Sequence, residues 1–410
     1  MNDPAAAAGT APPAARYVGQ SVARLEDPRL LTGRGRYVAN LAPVGTGHVA
    51  FARSTRARAR ITRLDVKAAA ALDGVWAVWT ADGLNGDVGS MRGSLVLPGG
   101  GGPPDHLLAD GDVRFVGDPV AVNVYAGTGS HGQSLETTMA QIVADALGVH
   151  PGDVRFHQGH GTPYGFGTGG SRSAVIAGGA ARAASAGVRA KLLRVASELM
   201  EASVDDLDLG GGAVVVRGTP ARRTTVAEVA RAAYMRPDTL PADISGGLEH
   251  TARFKAPPVT YSNAAHACTC EVDVATGAVR LLRYAVSEDC GVMINPMVVK
   301  GQIAGGAAQG IGGALLEEVA YDADGNPLAT TFADYLVPSA AEIPSFEFGH
   351  IVTPSDSPGG HKGTGEGGAI GSVPCVFNAV ADALAPLGVR LTDGPLSPQR
   401  IRAAIVEACA

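Results

Sequence analysis

The run His361-Lys-Gly-Thr-Gly365-Glu366-Gly367-Gly368 sets a single carboxylate among glycines, just before a helical pattern. Glycines on both sides remove shielding side chains, so a bulky group can approach Glu366 and use it as a general base. The competing reading is a solvated loop, since glutamate is mostly a surface residue. A second polar turn, Gly132-Gln133-Ser134, also precedes a helical pattern. Free backbone N–H groups at a helix start, with Gln133 beside them, suit an anion or the edge of a heterocycle. Gly167-Thr-Gly-Gly-Ser171-Arg172-Ser173 repeats the device with two hydroxyls and a guanidinium, a planar donor for phosphate. Serine and glycine are common in turns for their own reasons, so a plain loop remains the alternative.

The segment from Asn295 to Gly310 reads as a helix opened by Asn295 as N-cap and Pro296 in the first turn. Helical spacing stacks Gln302, Gly306, Gln309 and Gly313 on one face. Each interior glycine costs about 1 kcal/mol relative to alanine, so something must approach that backbone closely. A neighbouring helix is one candidate. The two glutamines favour a polar ligand.

Gly127-Thr-Gly129-Ser-His-Gly132 matches G-x-G-x-x-G, the dinucleotide fingerprint. That reading requires an acid at the end of the next strand, and Val154-Arg-Phe-His-Gln158 has none there, so it fails its own test. Cys268 and Cys270 form a lone C-x-C without a second pair to complete a metal site, and are expected to face opposite sides of a strand as small buried residues. With Cys290, Cys375 and Cys409 they make an odd total of 5, absent from the first 267 residues, which argues against a disulfide scaffold.

These residues must be carried by elements that the pattern outlines. Strand-like runs occur at His48–Arg53, Ile61–Val66, Val75–Thr80 and Val120–Tyr125, with a helical stretch at Val66–Leu72 and a Gly/Pro-rich loop at Leu97–Asp105. Helices are expected over Glu136–Leu147, closed by Gly148, over Ser173–Glu201, and over Thr225–Tyr234 behind a Thr225/Glu228 capping box. Strands are expected at Ala213–Arg217, Cys268–Val274 and Val279–Ser287, and further helices after Pro374 and Pro398. At 410 residues the chain has room for two or three domains. Its net charge of -6 offers no basic stripe for a phosphate backbone, so nucleic acid is not an expected partner. No uninterrupted run of 18 apolar residues occurs, and residues 1–15 lack the charged start and apolar run of a signal peptide. The expectation is a cytoplasmic protein with a disordered tail over residues 1–15 and no membrane partner.

Together these segments resemble the large subunit of molybdenum hydroxylases, the family of xanthine dehydrogenase, aldehyde oxidase and aerobic carbon monoxide dehydrogenase. Arg24–Tyr37 is similar to the start of the family's N-terminal hammerhead domain, and Val113–Ala121 to a motif near its end. His131–Thr138, Gly167–Ser173, the Gln302 helix, Gly363–Gly368 and Leu391–Pro398 resemble its second molybdopterin-binding domain, in family order. The resemblance implies an α+β fold, with a hammerhead-like α/β domain over residues 16–126 and part of an α+β molybdopterin-binding domain over 127–410. It further implies a molybdenum–molybdopterin cofactor, in its cytosine dinucleotide form, contacted by Gly132, Gln133, Thr137, Ser171, Arg172, Ser173, Cys290, Asn295, Gln302 and Gly365. Glu366 would be the base in hydroxylation of a small molecule, an aldehyde, an N-heterocycle or similar, with oxygen from water. FAD and a [2Fe-2S] cluster would reside on partner subunits.

The chain also departs from the family pattern. Family members are much longer, and a central region is missing between Ala126 and Gly127. Ser134 stands where Gly-Gln-Gly is the family reading, and Gln158–Tyr164 is short and lacks an acidic turn. Three readings follow: a hydroxylase subunit, a non-catalytic remnant of the same fold, and one half of a split enzyme.

Overall fold

The computed structural model describes residues 17–35, 49–51, 59–61, 63–88, 112–113, 130–156, 168–236, 240–241, 243–244, 247–252, 254–257 and 260–410. The expected tail at 1–15, the loop at Leu97–Asp105, the strand at Val120–Tyr125 and the glycines Gly127, Gly129 and Gly167 lie outside these residues.

In the N-terminal part the elements are short: α1 (Asp27–Leu31), β1 (Ala59–Arg60), α2 (Lys67–Ala70), α3 (Ala81–Val88) and β2 (Asp112–Val113), with β1 and β2 antiparallel. α2 falls within the expected helical stretch. The described residues of Ile61–Val66 and Val75–Thr80 are not strands. Apolar runs this short do not choose a period, and these make no ladder partner.

From residue 130 the elements are longer. α4 (Leu135–Leu147) ends on Gly148, which adopts φ 62°. A Cβ there would stand 2.8 Å from Gly210 Cα, so only glycine fits both the turn and the packing. α5 (Ser173–Met200) and α6 (Val226–Met235) pack against the antiparallel sheet β3 (Leu207–Gly210), β4 (Ala213–Val216) and β5 (Thr219–Thr225). Only β4 was legible in the sequence. β5 carries two arginines, three threonines and a proline, and its apolar signal is absent. α6 opens with the expected capping box, Thr225 Oγ1 accepting from the Glu228 amide at 3.1 Å.

The principal core lies where α7 (Pro296–Leu315), α8 (Gly367–Leu384) and α9 (Pro398–Ala408) cover one face of a sheet of β6 (Asn263–Val272), β7 (Val279–Asp289) and β8 (Phe346–His350). β6 and β7 are antiparallel; β7 and β8 run parallel. Cys268 and Cys270 both pack toward this core, which corrects the expectation of opposite faces: residues two apart on a strand share a side. All five cysteines are free thiols. α9 starts at Pro398 as expected, capped by Ser397. The helix expected after Pro374 instead begins at Gly367 and runs through the proline. Proline is favoured in a first turn but does not prove one, and the glycine-rich stretch ahead of it is itself helical. α8 reaches a mean hydropathy of 1.4 over 18 residues, long and apolar enough by composition to cross a membrane; here it packs against α7 and β6.

The segment from Tyr17 to Arg29 is laced onto α4 and the start of α7. Tyr17 and Val18 amides donate to Asp145 at 2.7 and 3.0 Å, and Gly19 donates to the Ile294 carbonyl at 2.8 Å. Gln141 Nε2 donates to the carbonyls of Tyr17, Gln20 and Ile294. Arg29 forks onto the Glu136 carboxylate at 2.5 and 3.0 Å.

Candidate functional site

Helices α4, α5, α7 and α8 all begin at the wall of one cavity of about 280 Å³. Each points the positive end of its dipole there, and α4, α5 and α8, which have no side-chain cap, add first-turn amides, whereas those of α7 are taken by Asn295; the convergence favours an electron-rich or anionic guest. The turn before α4 supplies His131 and Gln133, and the first turn of α4 Thr138; the turn before α5 supplies Ser171, and the first residue of α5 is Ser173. Cys290, Asn295 and Gln302 come from the β7–α7 passage, and His361, Lys362, Thr364, Gly365 and Glu366 from the loop before α8.

Glu366 is the residue immediately before α8 and is exposed toward the cavity. Ser171 Oγ donates to its Oε2 at 2.5 Å, which leaves Oε1 free. Ser171 holds φ 57°, a backbone region a non-glycine residue adopts only when its surroundings demand it. The demand comes from the opposing loop: a Cβ on Gly363 would stand 2.7 Å from Ser171 Cβ, so the two turns meet backbone to backbone. Ser134, at φ 58°, is held likewise at the start of α4 and makes no capping bond.

Several buried polar atoms in the wall have no protein partner: Gln133 Nε2, Ser173 Oγ, Thr364 Oγ1 and His361 Nε2. Gln133 Oε1 is already occupied by the His131 amide at 2.8 Å, which turns its NH2 toward unfilled space. His361 Nδ1 donates to the Val292 carbonyl at 2.7 Å, so Nε2 carries a lone pair and accepts. Burial lowers the His361 pKa against that hydrogen bond, and the nearby Arg182 charge adds to the lowering. A guest presenting both donors and acceptors along its edge would satisfy this set.

Lys362 is not a free cation for the guest. Its Nζ binds Asp289 Oδ2 at 2.8 Å in a buried pair, and also donates to Thr353 Oγ1. Burial alone would raise the Asp289 pKa. The Lys362, Thr353 and Gly291 donors outweigh it and hold the carboxyl well below the carboxylate range. Burial and next the Glu288 carboxyl push the Cys290 thiol up to about 11, so at neutral pH it stays protonated.

Of the expected contacts, Gln133, Ser171, Ser173, Cys290, Asn295, Gln302, Gly365 and Glu366 line this cavity. Thr137 does not. It is fully buried behind the turn, donating to Glu26 Oε2 at 2.5 Å and accepting from the Leu25 amide at 2.9 Å, so its work is to hold the N-terminal segment. Arg172 turns its guanidinium to the Pro257 carbonyl and away from the cavity. Gly132 is likewise outside the wall; its carbonyl accepts from Arg24 at 3.0 Å. Asn295 is spent on structure, its Oδ1 capping α7 and its Nδ2 donating to Val22 O and Gln141 Oε1, both at 2.9 Å. On the α7 glycine face, helix packing prevails over a ligand. A Cβ on Gly306 would stand 2.8 Å from Ala369 N, one on Gly310 2.9 Å from Ala369 O, and Gln309 is exposed. Only Gln302 reaches the cavity from that face. His361 and Thr364 were read only as parts of the glycine run; a histidine opening such a run was the available signal.

Residues 103–344 match the molybdopterin cofactor-binding domain, and residues 32–135 the a/b hammerhead domain of aldehyde oxidase and xanthine dehydrogenase. The chain is 42% identical over 284 residues to the nicotine 6-hydroxylase large subunit of Paenarthrobacter nicotinovorans, covering 68% of this chain and 35% of that protein. It is 39% identical over 262 residues to the carbon monoxide dehydrogenase large chain of Afipia carboxidovorans, covering 63% and 32%. Among solved structures, quinoline 2-oxidoreductase from Pseudomonas putida 86 superposes with a TM-score of 0.64 at 43% identity, over 68% of this chain and 36% of that one. The chain thus spans about a third of the length of the relatives it matches. With both family domains matched in order around a cavity of this construction, the chain belongs to the molybdopterin-binding large subunits of the xanthine dehydrogenase and aldehyde oxidase family.

Proposed function

We propose that this chain is the cofactor-binding part of an oxidoreductase that hydroxylates a small molecule, an aldehyde, an N-heterocycle or a similar electron-poor carbon, with oxygen from water. The observation that carries this reading is the cavity itself: four helix starts and a set of unpaired buried polar atoms around Glu366. The donor set fits a molybdopterin: Gln133 and Ser173 can donate to a pterin edge, His361 Nε2 can accept from a ring N–H, and the helix amides suit phosphate. The cofactor, in its cytosine dinucleotide form, would supply the two-electron oxidation when bound. Glu366 Oε1 then takes up the proton released as water's oxygen is transferred, while Ser171 fixes the carboxylate through Oε2. Cys290, kept as a thiol, contributes a weak donor at the cavity wall. FAD and [2Fe-2S] carriers on partner subunits would accept the electrons, and the cytoplasm is the proposed setting.

Co-expression with cofactor-maturation proteins, followed by metal analysis, tests the reading. Molybdenum near one equivalent is expected; below about a tenth of an equivalent, cofactor binding by this chain is refuted, on the occupancy logic of mass action. A second reading is favoured by the exposure of Glu366 and the share of the relatives that is covered: another polypeptide supplies the rest of the enclosure. Turnover that appears only after adding such a partner supports it.

A further inference from the structure

Beneath the turn that carries Glu366 lies a second polar group of residues, which the proposed chemistry does not use. On the sheet, Glu288 pairs with His350 of β8 and with Ala264 of β6, while His266 pairs with Val286. His266, Glu288 and His350 therefore lie on one face of three adjacent strands, His266 diagonal to Glu288. The first turns of α8 press on them. A Cβ on Gly367 would stand 2.5 Å from Glu288 Oε1, and one on Gly371 2.6 Å from His266 Nε2.

Glu288 is 1% exposed, and neither of its oxygens has a partner. Both ring nitrogens of His350 are also buried and unpaired; His266 Nδ1 lies 2.9 Å from the Tyr284 hydroxyl, and the ring approaches the Gly367 backbone without a hydrogen bond formed at Nε2. Buried polar atoms left unpaired are satisfied in native proteins by ordered water, which needs two to four polar partners. Nearby charges are already committed. Asp289 is held by Lys362, Thr353 and Gly291, and Lys362 by Asp289. From α8 the nearest charge is Glu366, one residue ahead of Gly367.

We propose that Glu288 is a positioning residue for Glu366, seated with His266, His350 and ordered water in a buried row that supports the Gly365–Gly367 turn. The proposal rests on the reading of Glu366 as the base. Burial, and next the Asp289 carboxylate, push Glu288 up to about 7, and burial lowers His266 against an opposing contact to the Gly367 backbone. Below that midpoint the Glu288 carboxyl takes up its proton. Above it, a carboxylate without a counter-cation lies under Gly367, and the turn holding Glu366 against Ser171 readjusts.

Carbon-detected titration of the chain labelled at glutamate carboxyls tests this, with Glu288→Gln and Glu366→Gln used to assign the two signals. The expected result is a carboxyl with a midpoint near 7, lost in Glu288→Gln. The Glu366 signal should show its own inflection and a second one at the Glu288 midpoint, the second absent in Glu288→Gln. If that variant does not fold, Glu288→Asp should move both the buried midpoint and the second Glu366 inflection together. A wild-type chain with no glutamate midpoint above about pH 6, more than a unit above the ordinary value being the signature of burial, overturns the proposal. A single-step Glu366 curve does the same. Failure to retain molybdenum would count against the cofactor reading and leave these curves untouched.

Discussion

Glu366 and Ser171 form the contact on which the proposed turnover rests, and the two residues can be separated. Glu366→Gln keeps the shape and a hydrogen-bond acceptor for Ser171, so cofactor content should stay at the wild-type level. Turnover should fall by about 10²–10⁴-fold, the usual worth of a positioned base, as read by steady-state kinetics with the complete enzyme. Equal activity would remove Glu366 from that role. Ser171→Gly is a different case: it relaxes the φ 57° backbone and deletes the hydroxyl at once. The variant should melt no lower than wild type, yet lose part of kcat. Glu288 adds a pH dependence to stability. A carboxyl whose folded pKa is raised from 4.5 to about 7 favours the native state fully below 4.5, and that benefit is lost as pH rises through 7. Across that window the loss is about 3 kcal/mol at most, and denaturant melts of Glu288→Gln should show it removed. Glu366 was legible because glycines isolate it in sequence. That Thr137 and Arg172 lie outside the cavity wall was not legible, because their neighbours in the fold, Glu26 and Pro257, lie far away along the chain.

Among the elements, α7 and α8 meet through glycine and serine, with the N-terminus of α8 delivered to the cavity by that close contact. Gly310 faces Ala369 and Ser372, so Gly310→Leu should wedge the helices apart and cost about 3 kcal/mol in a urea melt. Gly313 is the control. Its nearest neighbour beyond the helix, Val373, would be 3.9 Å from an added Cβ, so Gly313→Ala should be neutral or stabilise by up to about 1 kcal/mol. If the two variants behave alike, packing is not the reason for the glycines. The helix starts were readable where a cap side chain marked them, at Asn295 and Thr225, and where a first-turn proline did, at Pro398. At Glu366 a following helix was readable but its first residue was not, because no capping bond is made and Pro374 offers a false start. β3 escaped notice because its Leu-Asp-Leu-Gly alternation is only 4 residues long, and β5 because an edge strand with a polar sequence carries little apolar alternation.

At the scale of the molecule, the family and the order of its motifs were legible, since long segments in series are specific where a single glycine turn is not. How the cavity is closed was not, because this chain spans about a third of its relatives' length. Ile370 on α8, beside Glu366, is 73% exposed, and apolar side chains at an open mouth invite a covering surface. The lacing of Tyr17–Arg29 onto α4 and α7 has a separate consequence. Those bonds run from residue pairs more than a hundred positions apart, and none depends on the peptide link between them. Residues 17–35 thus behave as a detachable strap. A chain lacking them should bind the corresponding synthetic peptide in trans, with Asn295→Ala abolishing the capture; calorimetry that detects no heat of association for the unsubstituted pair would show that the strap is held by covalent continuity alone.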